Sequence, residues 1–249
     1  MRILVACEES QAVTIELRRL GHEAYSCDIQ DCSGGHPEWH IKGDALKLIN
    51  PEWYDGRYGW APHIEFETVD GEWHQFDAKW DMIIAHPPCQ KLSNAGAVNL
   101  GRKQGACATP EWKERFLMDR QKAADFFMAF IFADCERICV ENPDGYMNTH
   151  YKKPTQHIEP FMFGEPWKKK TGLWLKGLPN LKPTNLVTPT GKWVQQNKKG
   201  RPAKSEAWSV IGHRNPKIRA KTFPGIARAM AEQWAGVCEL DTPGAVKPC

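Results

Sequence analysis

Four short apolar runs, RILVAC (2–7), EAYSCD (23–28), WDMIIA (80–85) and RICVE (137–141), each end in a polar or proline-bearing tip. Near-continuous apolar runs of this length suit strands buried on both faces, as in a mainly parallel sheet covered by helices. The tips read CEES, Asp28, HPPCQ and ENP. The prolines at 87 and 88 remove backbone donors and hold φ near about −65°, so neither strand nor helix continues through them. Open α/β sheets bind ligands beyond the carboxyl ends of their strands. The tips are therefore where chemistry is to be sought. Taken alone, Cys89 is a free thiol in a tight loop, because unpaired cysteines behave mostly as small buried apolar groups.

The segments between the runs support a doubly wound α/β sheet with helices on both faces. SQAVTIELRRLGH reads as a helix with Ser10 as N-cap and Gly21 as its stop. The resulting β-α-β opening, with Asp28 at the second strand's tip, is that of a nucleotide-binding sheet. The glycine-rich phosphate fingerprint is absent: the first turn is CEES, which would repel a pyrophosphate. A ligand with ribose hydroxyls and a positive centre fits better. GDALKLI begins a further helical turn at Asp44, and residues 62–76 alternate about Asp70-Gly71 as an inserted hairpin. Residues 97–110 form a polar loop, and 110–135 a long helix whose aromatic stripe belongs to the core. TGLWLKGLP alternates like a strand, 186–216 is polar, basic and without period, and PGIARAMAEQWAG (224–236) is a closing helix. The expected organisation is a catalytic domain over 1–181, a small basic region over 182–221, and over 222–249 a closing helix packed back on the first domain, with a tail.

Composition narrows the class. No run of 18 apolar residues occurs in the 249, and the N-terminus turns acidic at once, so neither a membrane span nor a signal peptide is expected. Nine cysteines without framework spacing fit reduced, cytoplasmic thiols. Cys27, Cys32, His36 and His40 match no common zinc spacing, and no metal is expected. Charge is uneven: residues 152–221 hold 16 Lys/Arg against Glu159, Glu165 and Glu206, a net of +13. Trp167, Trp174, Trp193 and Trp208 are interleaved with them. Basic side chains mixed with stacking rings suit a phosphate backbone with exposed bases, which makes DNA the expected partner.

A cysteine and a glutamate at strand tips of one sheet pose a specific possibility. A thiolate can add to an electron-poor ring carbon while an acid offsets charge elsewhere on the ring. At this point the residues resemble a family. PPCQKLSNAG is similar to the PPCQ-x-x-S-x-x-G motif of cytosine-5 DNA methyltransferases, and VENP resembles their ENV motif. More narrowly, the chain resembles compact methylase-like proteins of phage and prophage genomes.

The resemblance implies a Rossmann-like class I S-adenosylmethionine-dependent fold acting in the (host) cytoplasm, with a monomer expected. It implies Cys89 as nucleophile on cytosine carbon 6, with Glu141 at N3 and Asn142 steadying the loop. It places Ala6, Glu8, Glu9, Ser10, Asp28, Ile29, Asp44, Ala45, His86 and Pro87 at the cofactor, S-adenosyl-L-methionine. Asp28 would hold the ribose, Asp44 the adenine amino group, and Glu8 and Glu9 would lie near the sulfonium. DNA would meet Gln90, Ser93, Lys168, Lys169, Lys170, Lys198, Lys199 and Arg201. The chain departs from the family pattern in three places: CEES replaces the glycine-rich turn, His86 stands where the motif has glycine, and Pro143 replaces valine. Two other readings share these residues. One is a non-catalytic DNA-binding relative. The other is a different pyrimidine carbon-5 enzyme, using a modified cofactor or a folate carbon donor, the folate type being disfavoured by the β-α-β-Asp opening.

Overall fold

A computed structural model describes residues 1–56, 59–101, 109–189, 193–196, 202–205 and 222–237. In chain order the strands are β1 (Arg2–Ala6), β2 (Glu23–Asp28), β3 (His40–Lys42), β4 (Glu52–Gly56), β5 (Gly59–Glu67), β6 (Trp73–Phe76), β7 (Met82–Ala85), β8 (Ile138–Asn142), β9 (Gln156–Ile158), β10 (Thr171–Lys176), β11 (Trp193–Gln196) and β12 (Pro202–Ser205). Seven of them form one sheet in the order β3-β2-β1-β7-β8-β10-β9. The first five run parallel, and β10 and β9 close the edge antiparallel. All four apolar runs lie side by side at its centre. The strand order reverses between β1 and β7, and that reversal opens a crevice at their carboxyl ends.

The pleat sends alternate residues of β1 to opposite faces. Ile3 and Val5 pack with Val13 and Leu17 of α1 (Ala12–Arg19) and with a C-terminal helix, Pro224–Met230. Leu4 and Ala6 pack on the other face with Ala124, Phe127 and Phe130 of the long helix Pro110–Ile131. That helix is capped by Thr109, whose Oγ1 accepts from the Trp112 N–H at 3.2 Å. It stops four residues short of the expected 135, and Phe132 just beyond it is largely exposed. Of its aromatic stripe, Phe116, Phe127 and Phe130 are buried.

The start of α1 differs from expectation. Ser10 does not cap it; Gln11 holds the N-cap position at φ 57° with no side-chain bond to the helix. The Glu8 carboxylate instead accepts from the Val13 and Thr14 N–H groups (2.7 and 3.3 Å) and from Thr14 Oγ1 (2.8 Å). The reason is acceptor capacity: the two carboxyl oxygens take three donors at the helix start, more than a serine hydroxyl can satisfy.

The expected hairpin is present, and β4 adds a third strand to make an antiparallel meander. Ile64, Phe66 and Phe76 of the meander bury against Tyr25 and Trp80, while Trp53, Trp60 and Trp73 remain exposed. Trp174 corrects the reading of the basic segment. It is no stacking platform but core, 1% exposed, donating Nε1–H to the Lys152 carbonyl at 2.8 Å. Beyond β10 the chain stays tied to the sheet body through Val187, whose N–H donates to the Phe161 carbonyl. Within the stretch expected to lack periodicity, β11 and β12 pair as a two-stranded antiparallel sheet. Lys198, Lys199, Arg201 and Trp208 lie outside the described residues. Among the described residues no helix is long and apolar enough to cross a membrane.

Candidate active site

At the reversal of strand order a cavity of about 390 Å³ opens on the long-helix face of the sheet. Asp28, Ile29 and Gln30 from the tip of β2, Gly43, Asp44 and Ala45 after β3, and Pro88 after β7 form much of its wall. Asp44 caps the short turn Ala45–Lys47, its Oδ1 accepting from the Leu46 N–H, and Asp28 accepts from the Gln30 N–H in the same way. Both carboxylates are thus held at the cavity by their own local turns. Ile29 is 75% exposed, an apolar side chain with no core to join.

The remaining lining residues were not anticipated. Cys7 enters because its φ of 60° turns the chain after β1, and Cys27 lies opposite it. Burial first, then the charges of Asp28, Asp44 and Cys27, push the Cys7 thiol far up; burial and the same two carboxylates push Cys27 up to about 12. Both stay neutral, and the cavity carries a negative field that favours a cation. Lys122, Ala123 and Phe126 come from the long helix. Phe126 lies three residues after Ala123 and four after Lys122, the spacings of one helix face, a signal legible in the sequence but hidden inside the aromatic stripe.

Of the expected cofactor residues, Asp28, Ile29, Asp44 and Ala45 meet at this cavity. Ala6 is wholly buried beneath it. Glu8 is 3% exposed with its oxygens committed to α1, and burial raises its carboxyl above the ordinary value despite His86 and those hydrogen bonds. Glu9 and Ser10 follow it without lining the cavity; the Glu9 carbonyl accepts from the Ser33 N–H. Pro87 is buried, and His86 faces the other side of the sheet edge.

The segment after β7 forms a closed loop. The Cys89 carbonyl accepts from the Leu92 and Ser93 N–H groups (3.1 and 2.8 Å), and Ser93 Oγ accepts from the Gly96 N–H. A side chain at Gly96 would meet the Gln90 carbonyl, and one at Gly145 would meet that of Leu92. Both glycines therefore permit backbone contact that no other residue allows. Gln90 is exposed, while Cys89 and Ser93 are half-buried. The tip of β8 is fastened to this loop: Asn142 Nδ2 donates to the Pro87 carbonyl at 2.8 Å, and the Tyr146 N–H donates to the Leu92 carbonyl. Asn142 Oδ1 is buried without a partner.

Glu141 projects to the helix-α1 face, its Oε2 3.5 Å from His86 Nδ1. Burial alone would raise its carboxyl, but His86, Lys169 and Thr171 outweigh that and hold it below the ordinary value. Glu141, Lys169 and Thr171 share a small cleft with Phe223 and Ile226. Lys170 instead pairs with Asp144 at 2.7 Å beside His157, and Lys168 is exposed. His40 is buried between Ser26 Oγ and the Gln30 carbonyl, and His36 stacks on Trp39. No group of three potential metal ligands occurs among the described residues.

No family model and no curated protein matches the chain. Among solved structures, one match is the crystal structure of an E. coli prophage-encoded protein described as a candidate DNA modification methyltransferase. The two share 13% identity at a TM-score of 0.42, over 76% of this chain and 52% of the other. This chain thus spans about half the length of that protein. A likeness at this level carries no functional weight.

Proposed function

We propose that the chain is an S-adenosylmethionine-dependent DNA (cytosine-5)-methyltransferase. One juxtaposition carries the reading. The segment leaving β7 puts Pro88 in the wall of an acid-lined cavity, sets His86 against Glu141 on the other face, and presents Cys89 directly after them. A volume of about 390 Å³ is within the range of pockets for small ligands and cofactors. Its donor set fits the cofactor: Asp28 and Asp44 can accept from hydroxyl and amino groups, and Ile29, Ala45 and Phe126 offer apolar cover to a flat ring. The charges of Asp28 and Asp44, which add to burial in raising the Cys7 and Cys27 thiols, suit a sulfonium, and Lys122 can meet a carboxylate.

The base must leave the helical stack to reach such a site. The Cys89 thiolate then bonds to cytosine carbon 6, N3 gains a proton by way of Glu141, and carbon 5 becomes nucleophilic. The bound cofactor supplies the methyl group that carbon 5 takes. N3 returns its proton, and loss of the carbon-5 proton expels the thiolate. Asn142 keeps the Cys89 loop and the Glu141 strand in one register throughout, through its bond to Pro87.

DNA containing 5-fluorocytosine tests this reading, because the fluorine cannot depart as a proton. Wild-type protein with cofactor should form a covalent adduct at Cys89, found by mass spectrometry of the digest, and Cys89→Ala should form none. A methyl group found on an exocyclic amine of ordinary DNA, or turnover by Cys89→Ala, would overturn the assignment.

A further inference from the structure

The imidazole of His86 stands beside Glu141 at the sheet edge, within electrostatic range of Glu8. Nδ1 is 3.5 Å from Glu141 Oε2, the side chain is 10% exposed, and Nε2 is enclosed without a hydrogen-bond partner. Glu8 is near enough for the charges to interact, although its oxygens are bonded to α1. The ring's position is fixed by its backbone. The His86 N–H donates to the Ala6 carbonyl at 2.9 Å, Pro87 follows, and Asn142 holds the Pro87 carbonyl. Lys169 and Thr171 from the β10 side also act on Glu141, whose charge in turn adds to burial in raising the Cys139 thiol of β8.

A carboxylate kept ionised in the resting protein has no proton of its own to give a base nitrogen. We propose that His86 is the positioning residue for Glu141: its Nδ1 holds the carboxylate in place and passes it the proton that N3 of the cytosine takes up. The proposal rests on the cytosine-5 reading and goes beyond it, since that reading needs only the glutamate. The proton count closes. As sulfur bonds to carbon 6, the displaced electron pair reaches N3, which takes a proton from Glu141. Glu141 takes one from the imidazolium, leaving the ring neutral. Once carbon 5 carries its new group, N3 returns the proton along the same path.

Two measurements on the full chain test this separately. The first uses resting protein labelled at glutamate carboxyl carbons, with Glu141→Gln identifying the signal. In His86→Gln the Glu141 midpoint should rise by about one pH unit, because a neighbouring cation is lost; an unchanged midpoint overturns the proposal whatever the protein catalyses. The second is the pH dependence of methylation of a cytosine-containing duplex. His86→Gln should lower kcat about 100-fold and change the shape of the pH–rate profile. KM for DNA and affinity for S-adenosylhomocysteine should stay within about threefold. A wild-type kcat, or a loss confined to KM, overturns proton delivery. Absence of cytosine methylation by the wild type overturns the functional reading instead, and the carboxyl midpoint still decides the pairing.

Discussion

Under the proposed function, Asp28 and Cys89 would be separable, because they stand at different points of the sheet edge. Asp28 lies in the cavity wall and Cys89 follows the wall residue Pro88. Asp28→Ala should weaken binding of S-adenosylhomocysteine by about 1.5–3 kcal/mol, the worth of hydrogen bonds to a charged group. Titration calorimetry measures this directly, and an unchanged affinity would remove Asp28 from the cofactor site. Cys89→Ala should bind the same ligand with nearly wild-type affinity. Much at this scale was legible: Asp28, Asp44, Cys89 and Glu141 all stand at strand tips because acids, thiols and prolines end apolar runs. Glu8 was not legible in the same way. Its residue type suggested attraction to a cation, but the unpaired N–H groups of α1 claimed it first.

At the scale of elements, the loop after β7 and the tip of β8 act through backbone contacts that glycine permits. A methyl group at Gly145 would collide with the Leu92 carbonyl. Gly145→Ala should therefore cost about 2 kcal/mol or more of stability, read in a thermal melt. It should lower kcat with cofactor affinity retained, since the cavity lies elsewhere along the edge. Glu8 makes a second prediction. Its folded carboxyl titrates above the unfolded value, so the folded state binds the proton more tightly. The stability this gives is complete below the unfolded pKa and lost as pH rises through the raised folded one. Glu8→Gln should compare increasingly well with wild type as pH rises above the ordinary glutamate range, by the difference in melting temperature. Element order was legible because the four apolar runs are distinct in sequence. The third meander strand and the β11–β12 pair were not, since short polar strands carry little periodicity.

For the whole molecule, charge is the leading variable. The net of +13 over residues 152–221 is set against an acidic remainder, so DNA affinity should fall at least tenfold, to order of magnitude, between about 50 and 200 mM salt if several phosphates are contacted. Fluorescence anisotropy with a labelled duplex measures the slope, and salt-independent binding would contradict DNA as partner. Lys168→Glu should reduce that slope by about one contact. Lys170 is less available, being paired with Asp144.

The placement of the meander also determines what an optical assay can see. Trp53, Trp60 and Trp73 present their rings to solvent, while the cavity wall contains no indole. Among the described residues, intrinsic emission therefore comes from rings that do not line the cavity. Occupancy of the cavity should leave the contribution of Trp53, Trp60 and Trp73 nearly unchanged. Titrations of this protein need heat, radiolabel or an extrinsic dye.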